Sequence, residues 1–159
     1  MTAIMQVLMA FVGALGFAVL FHVKGAKLVV CGLGGAISWI AYLATNSFIM
    51  DKVISLFAAT LVVAILSEIL ARLIKAPAIL FMVPMLIPLI PGSDLYYTTS
   101  YLFQNNMMEF GKNLSLFLQK AGAMAFGIIL MASFVQVVTY SKNWIKSGKP
   151  GSNYSTPIE

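Results

Sequence analysis

The chain has 159 residues, of which 60 % are hydrophobic and only 9 % are charged, with a formal net charge of +5. Soluble domains carry roughly a quarter charged residues, so this composition disfavours a soluble enzyme, a disordered tail and a nucleic-acid-binding module. The single cysteine, Cys31, excludes an intrachain disulfide, and the single histidine, His22, excludes most metal sites. We expect a membrane protein that holds no metal and no cofactor and binds no nucleic acid.

The uncharged stretches between the few charged residues predict five transmembrane helices. A spanning helix needs about 20 mostly apolar residues to cross about 30 Å of hydrocarbon. Such segments lie near 3–23, 28–47, 53–74, 77–97 and 113–140. The first lacks the basic start of a signal peptide, and its apolar run is too long for one. The predicted fold is an all-α integral membrane protein, with a five-span transmembrane domain over residues 1–141 and a polar cytoplasmic tail over residues 142–159.

The basic residues next to these segments predict the orientation of the chain. Seven lie on one side of the predicted spans and only two, Lys52 and Lys112, lie on the other. The seven are Lys24, Lys27, Arg72, Lys75, Lys142, Lys146 and Lys149. The positive-inside rule therefore places the N-terminus outside and the C-terminus in the cytoplasm. A re-entrant fourth segment would change the ratio to four against five, so all five segments are predicted to cross.

The fourth segment carries three prolines that would share one face of a helix, Pro84, Pro88 and Pro91. Each proline removes a backbone donor and crowds the carbonyl four residues earlier. A carbonyl freed in this way inside a membrane needs a partner from a neighbouring helix, a polar side chain or water. Broken helices of this kind line substrate sites in transporters. The alternative is that membrane helices tolerate proline and that the segment simply ends here.

The residues after the third proline predict a second helix. Pro91-Gly92 breaks the span, Ser93 is a suitable N-cap, and the new helix runs through residues 95–105. Its free N–H groups and positive dipole would suit a carboxylate. Gly92 is expected to adopt a backbone conformation that a β-carbon would resist.

Eight residues are candidates for lining a substrate pathway: Pro84, Pro88, Pro91, Gly92, Ser93, Asp94, Tyr96 and Lys120. For Lys120 the alternatives are attraction of a carboxylate and a stem that reaches the membrane surface. For Tyr96 and its neighbours they are pathway lining and an outer aromatic belt. Glu68 is a candidate for binding a coupling ion, because carboxylates inside membranes often relay protons. The alternative is an interfacial ion pair with Arg72, one turn later.

Small residues four apart predict close helix contacts. They form two pairs, Gly32 with Ala36 and Ala123 with Gly127. The glycine-rich stretch 31–36 has the look of a phosphate loop, but it follows no strand and lacks the required lysine and hydroxyl.

Three elements resemble the threonine/serine exporter family (ThrE type). They are the stretch Phe-Val-Gly-Ala-Leu-Gly-Phe-Ala-Val-Leu-Phe-His-Val at 11–23, the glycine-rich start of the second segment with Trp39, and Pro84…Pro91-Gly92…Tyr96. The resemblance covers about residues 3–141 and is to the family's second half, found alone as the small YjjB-like subunit. It implies a secondary exporter of threonine- and serine-like amino acids or, in two-subunit members, of a dicarboxylate such as succinate. It also implies a larger YjjP-like partner subunit, and Pro91, Gly92 and Tyr96 carry over as motif positions.

We therefore expect a multi-pass subunit of a bacterial cytoplasmic (inner) membrane exporter, driven by an ion gradient and able to form a homo-oligomer. The alternative is a non-transporting scaffold or assembly subunit in the lipid bilayer. A membrane-embedded enzyme fits worst, because the sequence offers no nucleophile with a base, no carboxylate pair and no metal ligand set.

Overall fold

The computed structural model describes residues 2–147, and all of the regular structure in that range is helical. The helices are α1 (Ala3–Leu20), α2 (Ala26–Ile49), α3 (Lys52–Ile74), α4 (Ala78–Leu86), α5 (Gly92–Phe103) and α6 (Met107–Ser147). A single 3₁₀ turn, Ile87–Leu89, follows α4. The prediction of an all-α chain is thus confirmed for the part that the structure describes.

Four helices, α1, α2, α3 and α6, are long and apolar enough to cross a bilayer. The short helices α4 and α5 form a pair bent by 57°, which would make a fifth span if the pair crosses as one. Four of the predicted segments thus correspond to single helices, and the fourth predicted segment corresponds to the bent pair.

The helix ends follow from local chemistry. Asp51 caps α3, because its Oδ1 accepts hydrogen bonds from the amides of Val53 at 2.8 Å and Ile54 at 3.1 Å. The residues that end α2 and α3, Met50 and Lys75, both adopt the left-handed conformation that commonly closes helices.

The boundary of the predicted tail falls inside α6. This helix continues past residue 141 to Ser147, so the first residues assigned to the tail extend a helix instead of starting an irregular segment. Residues 148–159 lie outside the described part of the chain.

The packing places apolar side chains outside and several polar ones inside. Large side chains such as Phe48 and Leu8 are exposed on the surface, as expected for helices that face lipid. Ser38, Ser55, Thr60 and Ser67 are fully or almost fully buried. Helix α2 packs against both α1 and α3, while α4 lies against α2 and α3, and α6 packs against α3 and α5. The break between α4 and α5 therefore lies beside the centre of the bundle.

Candidate functional site

The chain is irregular between the 3₁₀ turn and α5, where only Ile90 and Pro91 join the two. Pro88 lies inside the 3₁₀ turn, and Pro91 stands immediately before the first residue of α5. The amide of Gly92 bonds to the carbonyl of Ile90 at 2.7 Å, which tightens the turn into the new helix. The direction of the chain thus changes between an apolar stretch and the polar residues Ser93 and Asp94.

Two side chains from α2 approach carbonyl oxygens of the proline-bearing helix α4. Pro84 cannot donate to the carbonyl of Leu80, and the Sγ of Cys31 approaches that oxygen at 3.9 Å. The hydroxyl of Ser38 lies 3.2 Å from the carbonyl of Met85 and 2.7 Å from that of Gly35. Cys31 and Ser38 are two turns apart on one face of α2, so a single helix face supports the broken one.

A small polar cavity of about 110 Å³ adjoins the break; we call it the break cavity. Its volume is well below the roughly 300–1,000 Å³ of sites for drug-sized ligands, so it suits a small molecule. The cavity is lined by Trp39, Tyr42, Leu56, Pro88, Leu89, Ile90, Pro91, Ser93, Asp94 and Lys120.

An ion pair forms one side of the break cavity. The Nζ of Lys120, in α6, lies 2.6 Å from the Oδ2 of Asp94, in the first turn of α5. Only 12 % of the Lys120 side chain and 16 % of the Asp94 side chain are exposed. Charges in such surroundings are costly unless they are paired, which explains the short contact. The α5 dipole also favours a carboxylate in its first turn.

Aromatic side chains of α2 also line the cavity. The rings of Trp39 and Tyr42 lie 5.1 Å apart, and the indole Nε1 of Trp39 donates to the Oε1 of Gln6 in α1 at 3.2 Å. Sequence reasoning missed Tyr42, which lines the cavity, and Gln6, which does not line it but accepts the hydrogen bond from Trp39. The sequence did carry a signal for them: Gln6 is a polar residue in an apolar span, and Trp39 and Tyr42 are aromatic residues at helical spacing.

The structure brings together five of the eight pathway candidates. Pro88, Pro91, Ser93, Asp94 and Lys120 all line the break cavity. Pro84 is fully buried one turn earlier in α4. Gly92 and Tyr96 do not line the cavity, and the Tyr96 ring is exposed and packs edge-on against Tyr97.

Two expectations about the start of α5 are wrong. Ser93 is not the N-cap, because α5 begins at Gly92 and its N-cap is Pro91, which has no side chain able to cap. Gly92 has no left-handed backbone, and a β-carbon added to it would meet no atom within 4 Å. The turn is made by proline geometry, so the glycine there is not required by sterics.

Glu68 lies apart from the break cavity. Its Oε2 is 3.7 Å from the Nε of Arg72 on the same helix, and the Glu68 side chain is 30 % exposed. Arg72 also approaches the hydroxyl of Thr139 in α6 at 3.5 Å. This geometry agrees with the ion-pair interpretation and gives no contact to the cavity.

The four residues predicted to pack closely differ in how tightly their neighbours surround them. A β-carbon on Gly32 would meet the ring of Phe11 at 2.8 Å, and one on Gly127 would meet Thr60 at 3.2 Å. Ala36 and Ala123 are only half-buried. The tightest contacts involve two glycines that were not selected: a β-carbon would overlap Met85 at Gly34 and Ala14 at Gly35.

The described residues contain no group of three or more His, Cys, Asp or Glu side chains placed to hold a metal ion. The groups that line the break cavity include one cation, one anion, the hydroxyls of Ser93 and Tyr42, and the aromatic rings of Trp39 and Tyr42. Such a set can bind and orient a small charged solute.

The family described as Threonine/Serine exporter, ThrE matches residues 6–134. The matched range contains the break, all of α5 and Lys120. No curated protein and no solved structure matches the chain. Because the family match covers most of the sequence, the chain belongs to the threonine/serine exporter family.

Proposed function

We propose that the chain is a subunit of a secondary-active exporter of small carboxylate-bearing metabolites, and that Lys120 binds the carboxylate of the substrate. The observation that carries this proposal is the buried Lys120–Asp94 pair beside a small polar cavity at a helix break. A lysine inside a membrane domain requires an anionic partner, and a substrate carboxylate supplies the same chemistry as Asp94.

The charge of the site favours a zwitterion over a dicarboxylate. When a substrate carboxylate forms an ion pair with Lys120 in place of Asp94, Asp94 loses its counter-ion. The ammonium group of a serine- or threonine-like amino acid replaces that counter-ion, whereas the second carboxylate of succinate would face Asp94 with like charge. We therefore assign amino acids as the preferred substrates and succinate as the weaker alternative.

The resemblance to the second half of the family supports a larger YjjP-like subunit as the partner. We place the assembled exporter in the bacterial cytoplasmic membrane, with an ion gradient as its energy source. Glu68 has no contact that supports ion coupling, since its neighbour in the structure is Arg72.

The test is efflux of radiolabelled serine, threonine and succinate from bacterial cells that express the chain with or without the larger subunit. We expect efflux only when both subunits are present, with serine and threonine exported faster than succinate. Lys120→Gln should lower efflux by at least about tenfold, because losing one partner of a desolvated charge pair costs roughly 2–5 kcal/mol.

The matched control is Lys112→Gln, which removes the same charge from the same helix. The Lys112 side chain is 70 % exposed and lies 4.0 Å from Glu109, so its loss should leave efflux unchanged. Normal efflux from Lys120→Gln at equal protein abundance would contradict the proposal. Efflux that is lost only because the partner subunit is lost from the membrane would instead support a scaffold role.

A further inference from the structure

The contact between Asp94 and Lys120 leaves no space between the two charged groups. Their atoms are 2.6 Å apart, which is hydrogen-bond distance, so no ligand atom fits between them. A substrate that binds with its carboxylate on Lys120 and its ammonium group facing Asp94, as proposed above, must therefore separate the two side chains. Because the aspartate side chain is short and starts from the first turn of α5, a shift of α5 would carry Asp94 away from Lys120.

The attachment of α5 to the rest of the molecule permits such a shift. Among the described elements, the backbone of α5 comes close only to that of α6. At its beginning α5 is connected through the two-residue break, and at its end through the short turn at 104–106. The Asp94–Lys120 pair is the salt bridge found between α5 and α6 in the described part of the chain.

We propose that the Asp94–Lys120 pair is a latch that holds the start of α5 against α6, and that the carboxylate of the bound substrate opens it. The inference rests on the proposed function for the identity of the ligand. The structure shows the closed form, in which Asp94 and Lys120 are in contact and no substrate fits between them. In the open form Lys120 binds the substrate carboxylate, Asp94 faces the substrate ammonium, and α5 has moved away from α6.

The exposure of Thr98 can be used to measure whether the latch is open or closed. Thr98 lies one turn after Asp94, donates to the Asp94 carbonyl at 2.7 Å, and is 4 % exposed. Movement of α5 away from α6 would expose position 98. Thr60 provides a control, because it is also buried but lies where α3 packs against Gly127 of α6.

The experiment uses the full chain with its larger subunit in membrane vesicles. Cys31→Ser removes the only cysteine while keeping a donor for the Leu80 carbonyl, and Thr98→Cys or Thr60→Cys is added to it. The measured quantity is the rate of alkylation by membrane-permeant N-ethylmaleimide, with and without serine. We expect serine to accelerate alkylation at position 98 about tenfold, the scale of a typical coupling between a ligand and a conformational change, and to leave position 60 unchanged.

Removal of the latch should reproduce the effect of the ligand. Asp94→Asn should accelerate alkylation at position 98 without serine, and serine should then have no further effect. Asp94→Glu should keep the slow rate. Glu109→Gln, which removes an exposed carboxylate from the first turn of α6, should also keep it.

The possible outcomes separate the latch from the transport function. Serine efflux with no change in alkylation at position 98 overturns the latch and leaves the exporter proposal standing. Serine-dependent alkylation at position 98 without efflux of any tested solute supports the latch and contradicts the exporter proposal. Acceleration at position 60 as strong as that at position 98 also overturns the latch, because it would indicate general loosening of the bundle.

Discussion

The glycines of this chain differ in what surrounds their Cα atoms. A β-carbon on Gly35 would overlap the side chain of Ala14 and lie 3.1 Å from the carbonyl oxygen of Ala10, so α1 and α2 approach closely there. The neighbouring atoms at Gly34 belong to the side chain of Met85, which is flexible, whereas those at Gly35 include backbone. Gly92 has open space around it. Whether a glycine can be replaced therefore depends on the atoms around its Cα and not on its distance from the break.

We predict that Gly35→Ala destabilises the helix bundle. The added methyl group must push α1 away from α2, and overpacking of this kind typically costs about 1–3 kcal/mol. The measurement is the free energy of unfolding of the purified chain by SDS in mixed micelles. Gly92→Ala is the control and should change it by less than about 0.5 kcal/mol. Equal stability of the two variants would contradict the packing assigned to Gly35.

At the scale of elements, the break between α4 and α5 depends on support from α2. Prolines free carbonyl oxygens in α4, and Cys31 and Ser38 face two of its carbonyl oxygens from one side of α2. In lipid each unsatisfied backbone group would be costly. The broken helix can therefore lie inside the bundle and hold Asp94 beside Lys120.

We predict that Pro91→Ala lowers efflux without lowering the amount of inserted protein. The alanine restores a backbone donor and allows α4 and α5 to join into a straighter helix, which moves Asp94 relative to Lys120. Displacement of binding groups by about 1 Å can cost up to about a hundredfold in rate. The measurement is serine efflux per inserted chain. Pro77→Ala, at the exposed N-cap of α4, should transport normally, and normal transport by Pro91→Ala would show that the bend is not needed.

The helix α6 is longer than a bilayer requires. Its 41 residues at about 1.5 Å each give a length of roughly 60 Å, about twice the hydrocarbon thickness. Part of α6 must therefore extend beyond the membrane or tilt strongly within it. The continuation of α6 past residue 141 agrees with the absence of a proline or glycine in the stretch 142–147.

For the whole molecule, the basic residues predict which end of each helix faces the cytoplasm. Reporter fusions in the loops at 24–27 and 72–76 and at the C-terminus should report a cytoplasmic location, and fusions at 46–52 and 98–112 an outside location. The fusion at 24–27 is an internal control for that at 72–76, because two spans separate them. A C-terminus outside the cell would contradict the five-span interpretation and make the α4–α5 pair re-entrant.

The sequence by itself determined the class of the protein and the positions of its long helices. Length, apolar content and sparse charge are properties of local segments, so they suffice to predict helices that bury their backbone bonds in lipid. A break in the fourth segment is predicted from a local pattern in the same way, because Pro84, Pro88 and Pro91 act on their own backbone. The family resemblance drawn from the motifs is confirmed by the match over residues 6–134.

Only the tertiary structure decided which polar residues meet. Asp94 and Lys120 were separate candidates with no assigned partner, because they are 26 positions apart in the sequence and lie on different helices. Their contact depends on the 57° bend and on the return of α6 along α5, which no local pattern encodes. The same reason explains why Tyr42 and Gln6 were missed, and why Gly35 is sterically constrained whereas Gly92 is not. Helix formation depends on neighbours along the chain, whereas a site depends on neighbours across the bundle.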